Sequence, residues 1–142
     1  MSESGEEFIQ LHLGLGSFHR AHQAVYMQDL HEAGDTSWHI VGGNLRPDML
    51  STIEALRAQG GAYTLETVNS AGDRRYQKIS SIQSVVDWDA ELTGLVEVAT
   101  NPATRIISFT VTEAGYYQDE HHQLDESYAD LKSDLNGETF ST

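Results

Sequence analysis

The 142-residue sequence contains no cysteine, which excludes disulfides and every metal or redox site built on thiolates. It also lacks long apolar runs, and none approaches the roughly 18 residues that a membrane-spanning helix requires. Basic residues are scarce: 8 Lys and Arg stand against 22 Asp and Glu, so the net charge is −14. Because that charge repels phosphate, we expect no stable contact with nucleic acid or an anionic membrane.

The composition is that of an ordinary globular protein, with 39% hydrophobic and 21% charged residues. The length suits one domain, so we expect a single domain over 1–142. Residues 1–7 are acidic and lack the apolar stretch of a signal peptide, which predicts a cytoplasmic protein. Acidic residues crowd 113–138 and predict a solvated surface there. No pattern in the sequence indicates an oligomeric state.

Hydrophobic spacing predicts alternating strands and helices. In chain order these are a strand over 8–13, a helix over 19–33, a strand over 38–42, a helix over 49–59, a hairpin of 63–68 and 76–82, a helix from Asp87 or Asp89 to Val98, a strand over 105–112 and a weak helix around Tyr128–Leu135. In the first helix, Ala21, Val25, Leu30 and Ala33 are expected on the inward face, and in the second Met49, Ile53 and Leu56. This order predicts an α/β fold: a Rossmann-like, doubly wound, mostly parallel sheet with an inserted antiparallel hairpin.

The most informative segment joins the first predicted strand to the first helix through Gly14-Leu15-Gly16-Ser17. A strand that runs into Gly-x-Gly and then a helix is the setting of a dinucleotide-binding fingerprint. Gly14 permits a tight turn, Gly16 lets the backbone approach a pyrophosphate, and the helix N-terminus directs N–H groups at the anion. His19 stands where a third glycine or alanine is expected, so a plain tight turn is the alternative interpretation.

The residues that follow the turn carry a family resemblance. The run Gly14-Leu15-Gly16-Ser17-Phe18-His19-Arg20-Ala21-His22-Gln23 resembles the opening signature of the long-chain polyol dehydrogenases. This is the mannitol dehydrogenase family, which includes fructuronate reductase and D-arabinitol 4-dehydrogenase. In that family Phe-His-Arg-Ala-His-Gln follows the Gly-x-Gly turn directly, so His19 is the family's own variant.

Three further segments agree with the family, and the similarity extends over nearly the whole chain: 43–46, 63–68 and 110–117. The last of them departs from the family's usual Gly-Gly, because the chain has Ala114-Gly115 there. Gly43-Asn44-Leu45-Arg46, Leu65-Glu66-Thr67-Val68 and Tyr116-Tyr117 are most similar to the D-arabinitol 4-dehydrogenase branch. The mannitol 2-dehydrogenase and fructuronate reductase branches are the alternatives.

The resemblance implies an NAD-dependent oxidoreductase that uses no metal and transfers hydride between a polyol carbon and nicotinamide. It implies that NAD contacts the turn and the residues after it: Gly14, Leu15, Gly16, Ser17, Phe18 and His19. It further implies that a lysine base and the polyol contacts lie in a C-terminal helical domain. Neither Lys78 nor Lys132 belongs to such a motif. We therefore expect 1–142 to be an N-terminal NAD-binding domain without catalytic residues, and 136–142 to be a loop.

The end of the second predicted strand bears on the choice between NAD and NADP. NAD sites usually place Asp or Glu there to bind the adenosine ribose. The chain has Asn44 at that point, with Arg46 and Asp48 just beyond. Asp48 could bind the ribose and repel a 2′-phosphate, or cap the next helix, whereas Arg46 could attract the 2′-phosphate. The net charge and the resemblance favour NAD.

Thr112, Glu113 and Gly115 follow the last predicted strand, where an open α/β sheet binds its ligand. We expect them to border the nicotinamide half of the cofactor, with a surface turn as the alternative. Arg20 could meet a phosphate or form an ion pair within the domain.

Two histidine pairs raise the question of a metal: His19 with His22, and His121 with His122. No third ligand completes either pair, so no metal site is expected. Two other functions stay open. One is a non-catalytic dinucleotide-binding module, and the other is a methyltransferase, against which the runs at 18–22 and 112–115 argue.

Overall fold

The computed structural model describes residues 6–137, except for the side chains of Glu113 and Ala114. Residues 1–5 of the acidic N-terminal segment and most of the predicted loop at 136–142 lie outside that range. The chain forms two compact units, one ending at Thr110 and the other beginning at Val111. Within the described range, no helix is long and apolar enough to cross a membrane.

The first unit is built from strands and helices in alternation. They are β1 (Phe8–Leu13), α1 (Ser17–Ala21), α2 (Gln23–Glu32), β2 (Trp38–Gly43), α3 (Leu50–Ala58), β3 (Tyr63–Val68), β4 (Arg74–Ile79), β5 (Ile82–Val85), α4 (Thr93–Thr100) and β6 (Thr104–Phe109). Four strands form a parallel sheet of order β5-β2-β1-β6, and β3 and β4 form a separate antiparallel pair. The predicted Rossmann-like α/β fold with an antiparallel hairpin is confirmed.

The second unit contains a short 3-10 helix, Glu113–Tyr116, and the helix α5, Ala129–Leu135. The weak helix predicted around Tyr128–Leu135 is therefore confirmed. The rings of Tyr117 and Tyr128 meet edge to face, with centroids 5.1 Å apart.

Helices cover both faces of the parallel sheet, as two adjacent glycines of β2 show. A Cβ on Gly42 would lie 2.4 Å from Leu15 Cδ2, whereas a Cβ on Gly43 would lie 3.1 Å from Leu95 Cδ2 of α4. Because successive strand residues point to opposite faces, Leu15 and α4 pack on opposite sides. The main core lies on the Leu15 side, with members from α2, α3 and the strands: Ala24, Met27, Ile40, Ile53, Leu56, Ile79, Ile82 and Val85.

The single helix predicted over 19–33 is two helices, because His22 leaves the helical region with φ −127° and ψ −82°. Its N–H donates to the carbonyl of His19 at 3.2 Å, a three-residue turn that closes α1. The break changes which face of this helical segment points toward the core. Ala24 and Met27 are buried, whereas Ala21 and Ala33, predicted inward, are exposed.

The helix predicted from Met49 begins one residue later, and Asp48 does not cap it. Met49 occupies the N-cap position in the left-handed region, with φ 55°, and no side chain caps the helix. A capping side chain normally belongs to an extended N-cap residue, so Asp48 lies one position too early. The turn also leaves Met49 exposed rather than inward, while Ile53 and Leu56 are buried as predicted.

The strand β5 was not predicted. The second arm of the hairpin was expected to reach Ile82, but β4 ends at Ile79 and Ile82 begins β5, which pairs in parallel with β2. Only Ile82 and Val85 of its four residues are buried. A strand this short shows too little alternation to be recognised.

The last helix and the last strand of the first unit both differ from their predicted bounds. Asp89 was a candidate helix start, and its carboxylate accepts the N–H groups of Glu91 and Thr93, in the turn before α4. The strand predicted over 105–112 ends at Phe109, because the chain leaves the sheet there. Among the described strands β6 pairs with β1 alone, and its Phe109 side chain is 64% exposed.

Two neighbouring glycines after α3 allow a matched test of this packing. Both are left-handed, Gly60 with φ +61° and Gly61 with φ +79°. A Cβ on Gly60 meets nothing within 4 Å, but one on Gly61 would lie 2.0 Å from the Ile82 carbonyl oxygen. We predict that Gly60→Ala lowers the free energy of unfolding by about 1 kcal/mol, the cost of the backbone angle alone. Gly61→Ala should cost at least about 2 kcal/mol more, from overpacking.

Urea unfolding of the two variants measures the difference. Equal losses for Gly60→Ala and Gly61→Ala would contradict the close approach of Gly61 to β5.

Candidate functional site

The glycine turn, residues 14–17, joins β1 to α1 at the carboxyl end of the parallel sheet. Gly14 has φ +104°, a left-handed angle that favours glycine, and its N–H donates to the carbonyl of Gly43 at 2.8 Å. Gly16 differs, with φ −67° and ψ 174°, which any residue can adopt. A Cβ on Gly16 would meet no atom within 4 Å. Neither backbone angle nor packing requires glycine at position 16, so the open space beside it faces outward from the fold.

The first turn of α1 leaves backbone N–H groups for an acceptor outside the fold. A helix cannot satisfy its first N–H groups internally, and in the described part of the chain no side chain caps α1. The N–H of Leu15, in contrast, is occupied by the side chain of Asn44. Amides from the turn onward therefore form a positive end that suits an anion.

Asn44 connects the glycine turn to the loop after β2. It is 6% exposed, its Oδ1 accepts the Leu15 N–H at 3.1 Å, and its Nδ2 donates to the Asp48 carbonyl at 3.0 Å. Its amide is thus engaged within the protein at both ends. The structure places Asn44 at the predicted point, where it holds two loops in position; direct contact with a cofactor stays a prediction.

Arg46 and Asp48 lie on the loop that follows Asn44, and both side chains are exposed. Arg46 Nη2 and Asp48 Oδ2 are 3.9 Å apart, at the outer limit of an ion pair. Exposed pairs of this kind contribute little stability. Both groups are therefore free to rearrange around a ligand, and the Asp48 carboxylate offsets the charge of Arg46.

Arg20, at the end of α1, is fixed beside the turn. Its Nε–H donates to the Leu15 carbonyl at 3.1 Å, and its guanidinium lies 5.9 Å from the centre of the Tyr63 ring. The Tyr63 hydroxyl donates to the Arg20 carbonyl. Burial raises the pKa of Tyr63 to about 12, so this hydroxyl remains a donor. Among residues 6–137, no carboxylate forms an ion pair with Arg20, so the ion-pair alternative is not met there.

The other predicted residues of the turn differ in accessibility. Ser17 and Phe18 are exposed, and the Phe18 ring stacks on His22 with centroids 4.2 Å apart. Leu15 and His19 are each 1% exposed, so both residues are almost completely enclosed by the protein. The side chain of His19 lies beneath the turn.

His19 stacks on His12, a residue of β1 that the sequence reasoning did not single out. The ring centroids are 3.7 Å apart and the planes differ by 15°. His12 is 0% exposed and bonds through Nδ1 to Ser108 Oγ at 2.9 Å. The available signal was polar Gln10 and His12 on a central strand, because both faces of a parallel sheet are covered.

Burial sets the charge of this pair. It lowers the pKa of His12 from 6.5 to about 4. Burial, and then the neighbouring His12, lower the pKa of His19 to about 4 as well. Both rings are therefore neutral at pH 7.

Thr112, Glu113 and Gly115 lie at the start of the second unit. Thr112 is extended and exposed, and its carbonyl accepts the Gly115 N–H at 2.8 Å in the turn of the 3-10 helix. The side chain of Glu113 is outside the described atoms. Their predicted place beside the nicotinamide stays a prediction.

Neither histidine pair completes a metal site in the part of the chain that the structure describes. No group of three or more His, Cys, Asp or Glu residues there is arranged to hold an ion.

Comparison with known proteins identifies relatives of this architecture. A family model described as the mannitol dehydrogenase Rossmann domain matches residues 9–136. The chain is 51% identical to the D-arabinitol 4-dehydrogenase of Klebsiella pneumoniae over 132 residues, which cover 93% of this chain and 29% of that protein. It is also 51% identical to the D-arabinitol 4-dehydrogenase of Ralstonia nicotianae, over 91% of this chain and 28% of that protein. The chain thus spans less than a third of the length of these relatives.

Solved structures agree with the fold. The mannitol 2-dehydrogenase of Pseudomonas fluorescens, in a ternary complex with NAD and D-mannitol, superposes with a TM-score of 0.71 at 29% identity. The superposition covers 93% of this chain and 27% of that one. A substrate-free D-sorbitol dehydrogenase gives a TM-score of 0.69, also at 29% identity, over 93% of this chain and 28% of that one.

The buried histidines predict a pH dependence of stability. In the unfolded chain their pKa is near 6.5, so between pH 6.5 and pH 4 the unfolded state binds more protons than the folded state. The part of the free energy of unfolding that depends on the neutral rings is fully present above pH 6.5. It falls as the pH drops toward 4, by on the order of 3 kcal/mol per ring. His39, whose pKa burial also lowers, adds to the trend.

Urea unfolding between pH 7.5 and pH 4.5 measures this loss. Asp35, Asp89 and Asp125 have pKa values lowered from 3.8 by hydrogen bonds, so they titrate below this window. The variant His121→Gln, at an exposed position, should keep the same slope. A constant free energy of unfolding from pH 7.5 to pH 5 would contradict the neutral burial of the pair.

Proposed function

The chain belongs to the mannitol dehydrogenase family, as its Rossmann domain, and from this premise we propose that it binds NAD for a polyol dehydrogenase. The proposed reaction is hydride transfer between a secondary alcohol of a polyol and the cofactor, which gives a ketose. A D-arabinitol-like polyol is the favoured substrate, since two relatives at 51% identity carry the name D-arabinitol 4-dehydrogenase. A cytoplasmic location is part of the same proposal.

The observation that carries the proposal is the open space at Gly16. The fold does not need glycine there, because the backbone angles are ordinary and a Cβ would meet nothing within 4 Å. A glycine that folding does not require is explained by a ligand that approaches the backbone. Uncapped N–H groups of α1 adjoin the same point and suit a pyrophosphate. The residues present therefore fit a dinucleotide.

Several residues in and beside the turn would each contribute to cofactor binding. Gly14 and Gly16 allow the backbone to reach the pyrophosphate, and Ser17 and Phe18 present the first amides of α1. Arg20, fixed by the Leu15 carbonyl, adds positive charge beside the turn in a chain of net charge −14. The proposed role of Leu15 and His19 is to support the turn from within the protein, since both residues are almost completely buried.

Asp48 and Arg46 would decide between NAD and NADP. We assign Asp48 to the adenosine ribose, where its carboxylate accepts hydroxyl hydrogen bonds and repels a 2′-phosphate. The 3.9 Å approach of Arg46 supports this, because the carboxylate offsets the charge of Arg46, which would attract that phosphate.

Thr112, Glu113 and Gly115 are proposed to border the nicotinamide half, because they follow β6 directly in the chain. NAD, when bound, supplies the hydride acceptor. Lys78 is exposed on the antiparallel pair and Lys132 on α5, so neither resembles a buried general base. We infer that the base and the polyol contacts belong to a part of the enzyme other than these 142 residues.

Gly16→Ala tests the binding site itself. The free energy of unfolding should change by no more than about 1 kcal/mol, because the new methyl group meets open space. The affinity for NAD, measured by calorimetry, should fall at least tenfold because the methyl group occupies the place of the pyrophosphate.

Gly34→Ala is the matched control. Gly34 has φ +102° with open space around it and follows α2. Its substitution should lower stability by about 1 kcal/mol through the backbone angle and keep the NAD affinity. The assignment is wrong if Gly16→Ala binds NAD as tightly as the parent chain, or if the parent chain binds no nicotinamide cofactor.

Asp48→Ala tests the cofactor preference. Removal of the carboxylate frees Arg46, so the ratio of NADP affinity to NAD affinity should rise by about tenfold, corresponding to roughly 1.4 kcal/mol. Calorimetric titration with each cofactor gives the ratio. Glu66→Ala removes a carboxylate from the comparable exposed pair with Arg74 on the antiparallel strands and should leave the ratio unchanged. An unchanged ratio in Asp48→Ala would remove Asp48 from the site.

A further inference from the structure

A network of polar side chains with two buried histidines at its centre lies beside the glycine turn. Its centre is the stacked pair of His12 on β1 and His19 on α1, at 3.7 Å between centroids. Four uncharged side chains surround the rings: Gln10, Gln23, Ser108 and Thr110. The network thus links β1, α1, α2 and the end of β6.

One set of proton positions satisfies the hydrogen bonds of the network. Gln10 Nε2 donates to Ser108 Oγ at 3.0 Å and to Gln23 Oε1 at 3.2 Å. In this set the Ser108 hydroxyl donates its own proton to His12 Nδ1, at 2.9 Å, and the ring proton of His12 is on Nε2, 3.5 Å from Thr110 Oγ1.

The same reasoning places the proton of His19. Gln23 Oε1 can only accept, so His19 Nδ1, at 3.2 Å, carries the hydrogen. His19 Nε2 is then an unprotonated nitrogen, buried and without a hydrogen-bond partner among the described residues. One proton on each ring satisfies every bond in the network.

A second proton on His19 has no acceptor. It would create a buried N–H without a partner, which is more costly than a buried lone pair. It would also put positive charge against His12 and near Arg20, the charged group that acts on it from α1. Among the described residues, the hydrogen-bonding groups around the pair on β1, α2 and the end of β6 are the neutral side chains Gln10, Gln23, Ser108 and Thr110.

The two stacked residues flank the glycine turn in the sequence. His12 precedes Gly14 by two residues, and His19 follows Ser17 by two. The first half of the turn is held by bonds from Gly14 to Gly43 and from Leu15 to Asn44. The second half carries the amides proposed to bind the cofactor, and the stack joins the helix that follows it to β1.

We propose that the stacked, uncharged rings of His12 and His19 position the second half of the glycine turn, and that cofactor binding requires both rings to be neutral. Both are positioning residues, since their side chains are too buried to touch a ligand. The inference rests on the proposed function. The proposed positioning role requires a flat, uncharged ring at position 19.

Gln23→Glu is the decisive variant. It preserves the size of the side chain and both accepted hydrogen bonds, but its carboxylate favours the imidazolium form of His19. The measurement is the ratio of the NAD dissociation constants at pH 6 and pH 8, by calorimetry. We expect a ratio near one for the parent chain and at least about fivefold for Gln23→Glu. Gln83→Glu, at an exposed position of β5, adds the same charge and should behave as the parent. Near-UV circular dichroism at both pH values checks that each variant is folded.

A second pair of variants decides the matter if Gln23→Glu unfolds at pH 6. His19→Phe retains a flat, uncharged ring on His12, and His19→Ala removes the ring. At pH 8, we expect His19→Phe to bind NAD at least about fivefold more tightly than His19→Ala.

Equal affinities in His19→Phe and His19→Ala, or a Gln23→Glu ratio equal to that of the parent or of Gln83→Glu, would overturn the inference. A parent chain that binds no NAD at pH 8 contradicts the proposed function instead. A parent chain that binds NAD while the variants do not differ contradicts the positioning role alone.

Discussion

The candidate site depends on one buried amide. Asn44 accepts the N–H of Leu15 and donates to the carbonyl of Asp48, and it is almost completely enclosed. Without it the N–H of Leu15, a residue that is 1% exposed, would lack a partner, at a cost of about 1–3 kcal/mol. The bond from Gly14 to Gly43 runs beside it. Through these contacts, the glycine turn and the loop of Arg46 and Asp48 keep a fixed relation, although they belong to different strands.

The sheet and the turn were predictable because their signals are local. Alternation identified β1 and β2, the β-rich run identified β6, and the glycine spacing located the turn between β1 and α1. Two of the errors occur where one residue takes an unusual backbone angle. His22 divides the first helix, and Met49 in the left-handed region displaces the second. Hydrophobic spacing carries no information on either angle.

The site was predictable only in part, for a related reason. Gly14 and Gly16 have distinct roles that their positions in a strand–turn–helix motif already indicate. The internal role of Asn44 and the pairing of His12 with Ser108 depend on contacts between residues 29 and 96 positions apart. His12 would be a solvent-exposed polar residue if one face of β1 were open, but it is buried because that face is also covered. Such contacts follow from the assembled sheet and not from any segment of it.

The strand order β5-β2-β1-β6 has a consequence for how the two ends of a dinucleotide are held. In a doubly wound sheet of order 3-2-1-4-5-6, three strands serve the adenosine nucleotide and the other three serve its partner. By this comparison β5, β2 and β1 make up the whole adenosine half, and β6 is the first strand of the other half. The described chain thus contains all three strands that correspond to the adenosine half of such a sheet, and one strand of the half that serves the other nucleotide.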